Sequence, residues 1–427
     1  MEIAPQYKPE CIGEQQKQLL YAGLAFTAVG MAAHTACYAP FASEQAEGGG
    51  GGGVVASDSC DCYVACCCVG CRIHLIAFVA LLVASFVKPW ATLFGICAIL
   101  GAISFIVCFI LMLISCYNNS ISRPQGSPLT TVFRVLFAAF SKSFYPRPLD
   151  PNEPSLQEQE KKRWNLCEVT EVEETKLAIR TIPIWMTFIV CGIISSLNAT
   201  YFLEQAKTLD PRVGKAKTPL ILLFWLYDHF KSWFFPNFCL LRYFVTHNND
   251  TRYYYYNSPR VGIIIAMMYA TLSCIAAAKI ETRRLGVIKV DGLIDEKIVP
   301  MTIFWLLPQY ALLGGLDGLY SLFAYNFSVD QAPISMIKYF HLFARGFFGL
   351  GVIASVVSVY IVGEISKAIT GNNWFQNTLN SSRLDNYYWV LATLSALNLV
   401  IFVILTCFYH YLDPRYERHI QRVDDLF

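Results

Sequence analysis

The sequence predicts an all-α polytopic membrane protein, and three observations carry that prediction. Of the 427 residues, 55% are hydrophobic and only 15% charged, whereas a soluble domain carries about 25% charged residues. Mean hydropathy is +0.43. Apolar runs of about 20 residues recur along the chain, the length a helix needs to cross a ~30 Å hydrocarbon core. These runs lack the alternation of a barrel strand, and only helices or closed barrels satisfy the backbone in lipid. The lipid bilayer is therefore the first partner. A formal net charge of +2 argues nothing about partners, and with no nucleic-acid signature present no nucleic-acid partner is expected.

In chain order, the first span is expected at 19–40, rich in Ala, Gly and Thr as closely packed membrane helices are. No cleavable signal peptide is expected, because residues 1–18 are polar. Six glycines, Gly48 to Gly53, then read as flexible linker within a Gly/Cys-rich loop at 46–72. That loop also holds Cys60, Cys62, Cys66, Cys67, Cys68 and Cys71. Their crowding lacks zinc-finger spacing, so no metal is expected. Palmitoylation beside a membrane span and unconstrained loop thiols are the two readings left open.

Residues 73–116 are almost unbroken apolar sequence, too long for one crossing, and Lys88-Pro89 divides them into spans at 73–91 and 92–116. From 117 to 177 the composition turns polar, with eight basic and eight acidic side chains interleaved from Arg123 to Lys176. This is expected to be a water-exposed cytoplasmic linker. Six further spans are expected at 181–203, 218–242, 259–280, 299–325, 341–366 and 386–411. The domain reading is therefore a three-span block at 1–116, the linker at 117–177 and a six-span bundle with a short tail at 178–427. With the cationic linker in the cytoplasm, an odd count of nine spans places the C-terminus inside and the N-terminus outside.

Two spans carry polar stripes. Tyr310, Gly314, Asp317, Ser321 and Tyr325 recur at steps of three and four and share one helix face. Thr187, Cys191, Ser195 and Asn198 do the same in the span at 181–203. A carboxylate at mid-membrane costs about 2.5–3.5 kcal/mol, so it normally faces a wet cavity or a partner. Asp317 is the functional candidate on that ground, against the plainer reading of a neutral acid bonded between helices. Asp228 and Lys231 sit three apart, close enough for an ion pair on one face, although a half-broken helix ending at Pro236 fits as well. No G-x-S-x-G, H-E-x-x-H or phosphate-cradling loop is present, so an enzyme is not expected.

Several stretches then carry a resemblance. Arg123-Pro124-Gln125-Gly126-Ser127-Pro128-Leu129-Thr130 with Ala138-Ala139-Phe140 resembles the junction after the sixth span of the plant nitrate/peptide transporter family. That family belongs to the proton-coupled oligopeptide transporters of the major facilitator superfamily. Leu166-Cys167-Glu168-Val169-Thr170, Val172-Glu173-Glu174 and Arg180-Thr181-Ile182-Pro183-Ile184-Trp185 resemble its entry to the seventh span. Ser258-Pro259-Arg260 and Glu281-Thr282-Arg283-Arg284-Leu285 resemble the borders of its ninth. Trp305-Leu306-Leu307-Pro308-Gln309-Tyr310, Leu312-Leu313-Gly314 and Asp330-Gln331-Ala332-Pro333 resemble its tenth-span block, and Asn380, Asp385, Tyr388 and Trp389 its last hairpin. More faintly, Gly30, His34, Cys37, Phe41, Glu44 and Gln45 are similar to its fourth-span block.

The resemblance implies a major facilitator-type helical bundle, incomplete, whose nine spans look like the family's fourth to twelfth. It implies symport of a small polar solute (nitrate, a peptide or another) by alternating access in the plasma or vacuolar membrane, with no cofactor and a proton as coupling ion. The implied substrate and proton pathway comprises Asp317, Tyr310, Ser321, Tyr325, Ser195, Asn198, Thr35 and His34. The chain departs from the family pattern in several places, among them Glu44, where Asp is usual, and Ser195, where one nitrate-transporting member has a histidine. The family's first-span Glu-x-x-Glu-Arg has no counterpart, Thr35 stands where a Lys or Arg is usual, and Asp317 where Glu is usual. Those departures keep a second reading open: a non-transporting remnant, or a membrane partner assembling with full-length relatives.

Overall fold

The structure, a computed structural model, describes residues 13–48, 90–118, 128–144, 169–213, 216–233, 251–292, 298–337 and 339–409, with positions 167, 294 and 296. The cysteine cluster, almost all of the expected span at 73–91, much of the linker and the end of the span at 218–242 lie outside these residues. The chain divides into two units, Met1–Ser59 and Cys60–Phe427, and each is described by itself.

The first unit contains helix α1, Glu14–Gly48, which overruns the expected 19–40 at both ends. In its first turn Lys17 reaches back to Glu14 at 2.8 Å. Its apolar side chains, among them Leu20, Phe26 and Val29, are exposed.

In the second unit α2, Trp90–Asn118, covers the expected span at 92–116. The linker is not polar throughout. It contains α3, Pro128–Phe144, whose Val135 and Ala138 are buried while Phe133, Leu136, Phe137 and Phe140 form an exposed stripe. α4, Val169–Ser195, begins well ahead of residue 181 and carries Pro183 inside it. Arg134 of α3 is bonded to Glu171 of α4, which fixes the two helices side by side. Averaging charge over the whole segment hid that apolar stripe.

Beyond α4, the chain makes a short 3₁₀ turn, Ser196–Asn198, then α5, Tyr201–Thr208. Strand β1, Leu209–Asp210, leads into a hairpin of β2, Arg212–Val213, and β3, Ala216–Lys217. Helix α6 occupies 221–233. α7, Thr251–Asp291, holds Pro259. The segment expected to be helical from 299 opens instead with strand β4, Val299–Thr302, paired parallel to β1. After a 3₁₀ turn, α8 runs Leu307–Asp330. α9, Phe340–Thr370, ends at Gly371, whose φ of 76° suits a residue without Cβ. α10 is Leu384–Phe408.

α7 packs against α8 and α10, and α4 against α9 and α10, so the second unit is a helical bundle. Five helical segments among the described residues are long and apolar enough to cross a bilayer: Phe94–Leu111, Glu171–Thr208, Pro259–Asp291, Phe340–Thr370 and Leu384–Phe408. α8 is not among them, because its Gly, Tyr and Asp content lowers its hydropathy while its neighbours bury it. Trp185 of α4 anchors one seam, with Phe340, Phe343 and Phe347 of α9 at ring distances of 4.8, 5.7 and 5.8 Å.

Glycine sets how closely α4 and α9 approach. A Cβ on Gly192 would collide with the Phe348 carbonyl, and one on Gly351 with the Ile189 carbonyl. Backbone cannot retreat as a side chain can, and overpacking costs about 1–3 kcal/mol even in adaptable cores. Gly351→Val is therefore expected to lower the thermal stability of the detergent-purified protein sharply. Gly346→Val, on the same helix with open space around it, is expected to leave it nearly unchanged.

The end of the bundle away from the linker is fastened by buried polar groups. Glu281 and Arg284, expected in a loop at 281–298, lie instead inside α7, with side chains 0% and 1% exposed. Arg284 donates from Nε to Glu281 Oε2 at 2.9 Å and from a terminal nitrogen to Oε1 at 2.7 Å. It also donates to Asn380 Oδ1 at 2.7 Å and to the Leu379 carbonyl at 3.1 Å. Gln205 of α5 donates to Glu281 at 2.6 Å and accepts from Gln309 of α8 at 3.1 Å. Paired charges inside a helix read as a loop to any hydropathy average, which is why the sequence placed the helix end too early.

Candidate functional site

α6 lies against α8 because α8 presents Gly314 and Gly318 to it. A Cβ on Gly314 would stand 2.9 Å from Phe230 Cβ and 3.0 Å from the Tyr227 carbonyl, and one on Gly318 would strike the Lys231 carbonyl. This seam of small residues at i and i+4 is how membrane helices let backbones meet. It brings Tyr227 beside Asp317, midway along α8.

Asp317 is 4% exposed. Its Oδ2 accepts from the Ser195 hydroxyl at 2.8 Å and from the Tyr227 hydroxyl. Its Oδ1 is buried with no hydrogen-bond partner among the described residues, although a carboxylate oxygen can accept two or more. Lys231 is the cation whose charge bears on this carboxylate among the described residues. Three helices thus converge on one acid: α4 through Ser195, α6 through Tyr227 and Lys231, and α8 through Asp317 itself.

The other expected residues make their described contacts elsewhere than on that carboxylate. Ser321 turns back to donate to the Asp317 backbone carbonyl at 2.6 Å. Tyr310 is fully buried against Phe202 at 5.6 Å, in the core rather than on a cavity wall. Tyr325 is 50% exposed and packs its ring on His341 at 5.0 Å. Asn198, in the 3₁₀ turn after α4, has its Oδ1 buried and unbonded among the described residues. His34 is an exposed residue of α1 in the other unit, and Thr35 belongs to the same helix. Tyr227 is the participant that the sequence reading missed. A hydroxyl in an apolar run, four residues before a lysine, was the available signal.

Residues 3–220 match the family described as PTR2, the POT family. Protein NRT1/PTR FAMILY 5.5 of Arabidopsis thaliana is 32% identical, over 95% of this chain and 80% of its own length. The chain belongs to the POT family. Protein NRT1/PTR FAMILY 8.1 of the same plant is 29% identical, over 68% of this chain, which spans 57% of that relative. A crystal structure of an auto-inhibited POT family peptide transporter shares 16% identity with a TM-score of 0.43, over 69% of this chain and 56% of its own. Membership of that family, together with five described helical segments long and apolar enough to cross a bilayer, makes this POT-family protein an integral, multi-pass helical membrane protein of the major facilitator type. Its likeness to plant nitrate/peptide transporters, read from the motifs, stands. Among the described residues no three His, Cys, Asp or Glu side chains cluster as a metal site, and Cys60–Cys71 lies outside them.

Proposed function

We propose that this chain moves a small polar solute, such as nitrate or a short peptide, across the plasma or vacuolar membrane by alternating access, with a proton as coupling ion and Asp317 as coupling acid. The observation that carries this is the state of that carboxylate. One oxygen is held by two hydroxyls and the other is buried without a partner among the described residues. An acid so placed has an open acceptor for a proton or for a donor group of a solute. An intramembrane carboxylate is by default a pathway residue. Ser195 and Tyr227 steady its ionised form through charge-assisted bonds. Lys231 supplies a cation from within the same bundle, where the resemblance would lead one to look for it at the Thr35 position.

The test is uptake of labelled nitrate and of a labelled dipeptide in a heterologous cell, at acidic and neutral external pH, with and without a protonophore. Acid-stimulated, protonophore-sensitive uptake of either solute supports the reading. Uptake indifferent to both conditions removes the proton from it, and no uptake of any solute favours a non-transporting partner of related transporters. What supports transport over that alternative is the relative at 32% identity matched along 95% of the chain.

Tyr227→Phe separates chemistry from packing. The ring still fills the space beside Gly314, but the bond to Asp317 is lost. A hydrogen bond to a charged group is worth about 1.5–3 kcal/mol, so uptake is expected to fall about tenfold at matched surface expression. Unchanged uptake would make Tyr227 a packing residue only.

A further inference from the structure

α7 carries two cations whose surroundings point to a ligand outside the protein. Lys279 and Arg283 are four residues apart, both exposed, and therefore neighbours on one helix face. Each lies over an indole: the Lys279 ammonium 5.6 Å from the Trp389 ring and the Arg283 guanidinium 3.9 Å from the Trp305 ring. Both indoles are 41% exposed. No ion pair neutralises either cation among the described residues. Two carboxylates close in sequence to the cations or to the indoles, Glu281 and Asp385, are already engaged by Arg284 and Arg383. Like charges at this spacing repel, so an uncompensated pair held in place by two rings is arranged for an anion.

Depth identifies the class of anion. The exposed apolar residues of α7 run through Val261, Met268 and Leu272. At 1.5 Å per residue, Lys279 stands about 27 Å along the helix from Val261, near the ~30 Å thickness of the hydrocarbon core. The two cations thus sit where phosphates of the leaflet begin, and Trp is the side chain enriched at that boundary. We propose that Lys279 and Arg283 bind the phosphate of an anionic phospholipid in the leaflet away from the linker, with Trp305 and Trp389 lying against its glycerol and upper acyl chain. The site commits to lipid rather than free phosphate because indole and the lipid-facing stripe below offer contact only to an acylated ligand.

The test uses the full chain, purified and washed in detergent, with bound lipid counted by native mass spectrometry after addition of phosphatidylglycerol or phosphatidylcholine. Wild type is expected to retain phosphatidylglycerol in preference, and Lys279→Gln/Arg283→Gln to lose that preference about tenfold. Arg283→Lys is expected to keep most of it, and Lys289→Gln, on the same helix without an indole, to keep all of it. Trp305→Leu, which leaves both charges, is expected to weaken retention and so covers the case in which the double variant does not fold. Equal retention by wild type and the double variant overturns the proposal, as does displacement of the lipid by millimolar inorganic phosphate alone.

Discussion

Asp317→Asn is expected to abolish the acid stimulation of uptake while leaving the amount of folded protein at the cell surface unchanged or slightly raised. The two side chains are nearly the same size. The amide oxygen can still accept from Ser195 at 2.8 Å and from Tyr227, and the amide nitrogen takes the place of Oδ1, which has no partner to lose among the described residues. What disappears is the titratable group. A mid-membrane carboxylate costs about 2.5–3.5 kcal/mol, so the amide does not weaken the bundle. Coupling free energies between two ligands run at about 1–3 kcal/mol, or 5–150-fold, and the ratio of acidic to neutral uptake is expected to drop by that factor toward one. Asp228→Asn is expected to change the ratio far less. The same pH dependence in wild type and Asp317→Asn would take Asp317 out of the mechanism.

Arg284→Met is expected to produce the largest loss of stability of any single substitution at the far end of the bundle. It strands Glu281, fully buried, with only Gln205 among the described residues to bond it, and it takes a donor from Asn380 Oδ1 and from the Leu379 carbonyl at the same stroke. Removing one partner of a buried pair costs about 3–5 kcal/mol, whereas replacing both with apolar or neutral groups is often nearly neutral. The double variant Glu281→Gln/Arg284→Met should therefore recover most of the loss. Thermal unfolding of the detergent-purified variants reads both, and a double variant no better than the single one would refute the ion-pair account.

Much of the bundle was legible because hydropathy and helical period report on burial directly. The spans at 341–366 and 386–411 correspond to α9 and α10, and Asp317 and Ser195, each found on a polar stripe, do meet. The rest depended on what only packing decides. Tyr310 shares the period of Asp317, but α8 is buried nearly all round, so a stripe on it does not by itself mark a cavity. Tyr227 was missed because its approach to Asp317 depends on Gly314 and Gly318, and Gly314 had been read as part of the polar face rather than as the place where α6 comes close. Strand β4 was taken for helix because its partner, Leu209–Asp210, lies far away in the chain. A non-local pairing leaves no mark in a local window.

The spacing of Glu281 and Arg284 also sets an order of events during synthesis. Both belong to one helical turn, so they can neutralise each other as soon as that turn forms, and α7 can enter the bilayer with its two buried charges, Glu281 and Arg284, already matched. Gln205 has left the ribosome by then and can dock when α5 arrives. Asn380 is still untranslated, nearly a hundred residues behind. The buried cluster is therefore assembled from a self-sufficient nucleus outward, and the last hairpin of the protein seals it.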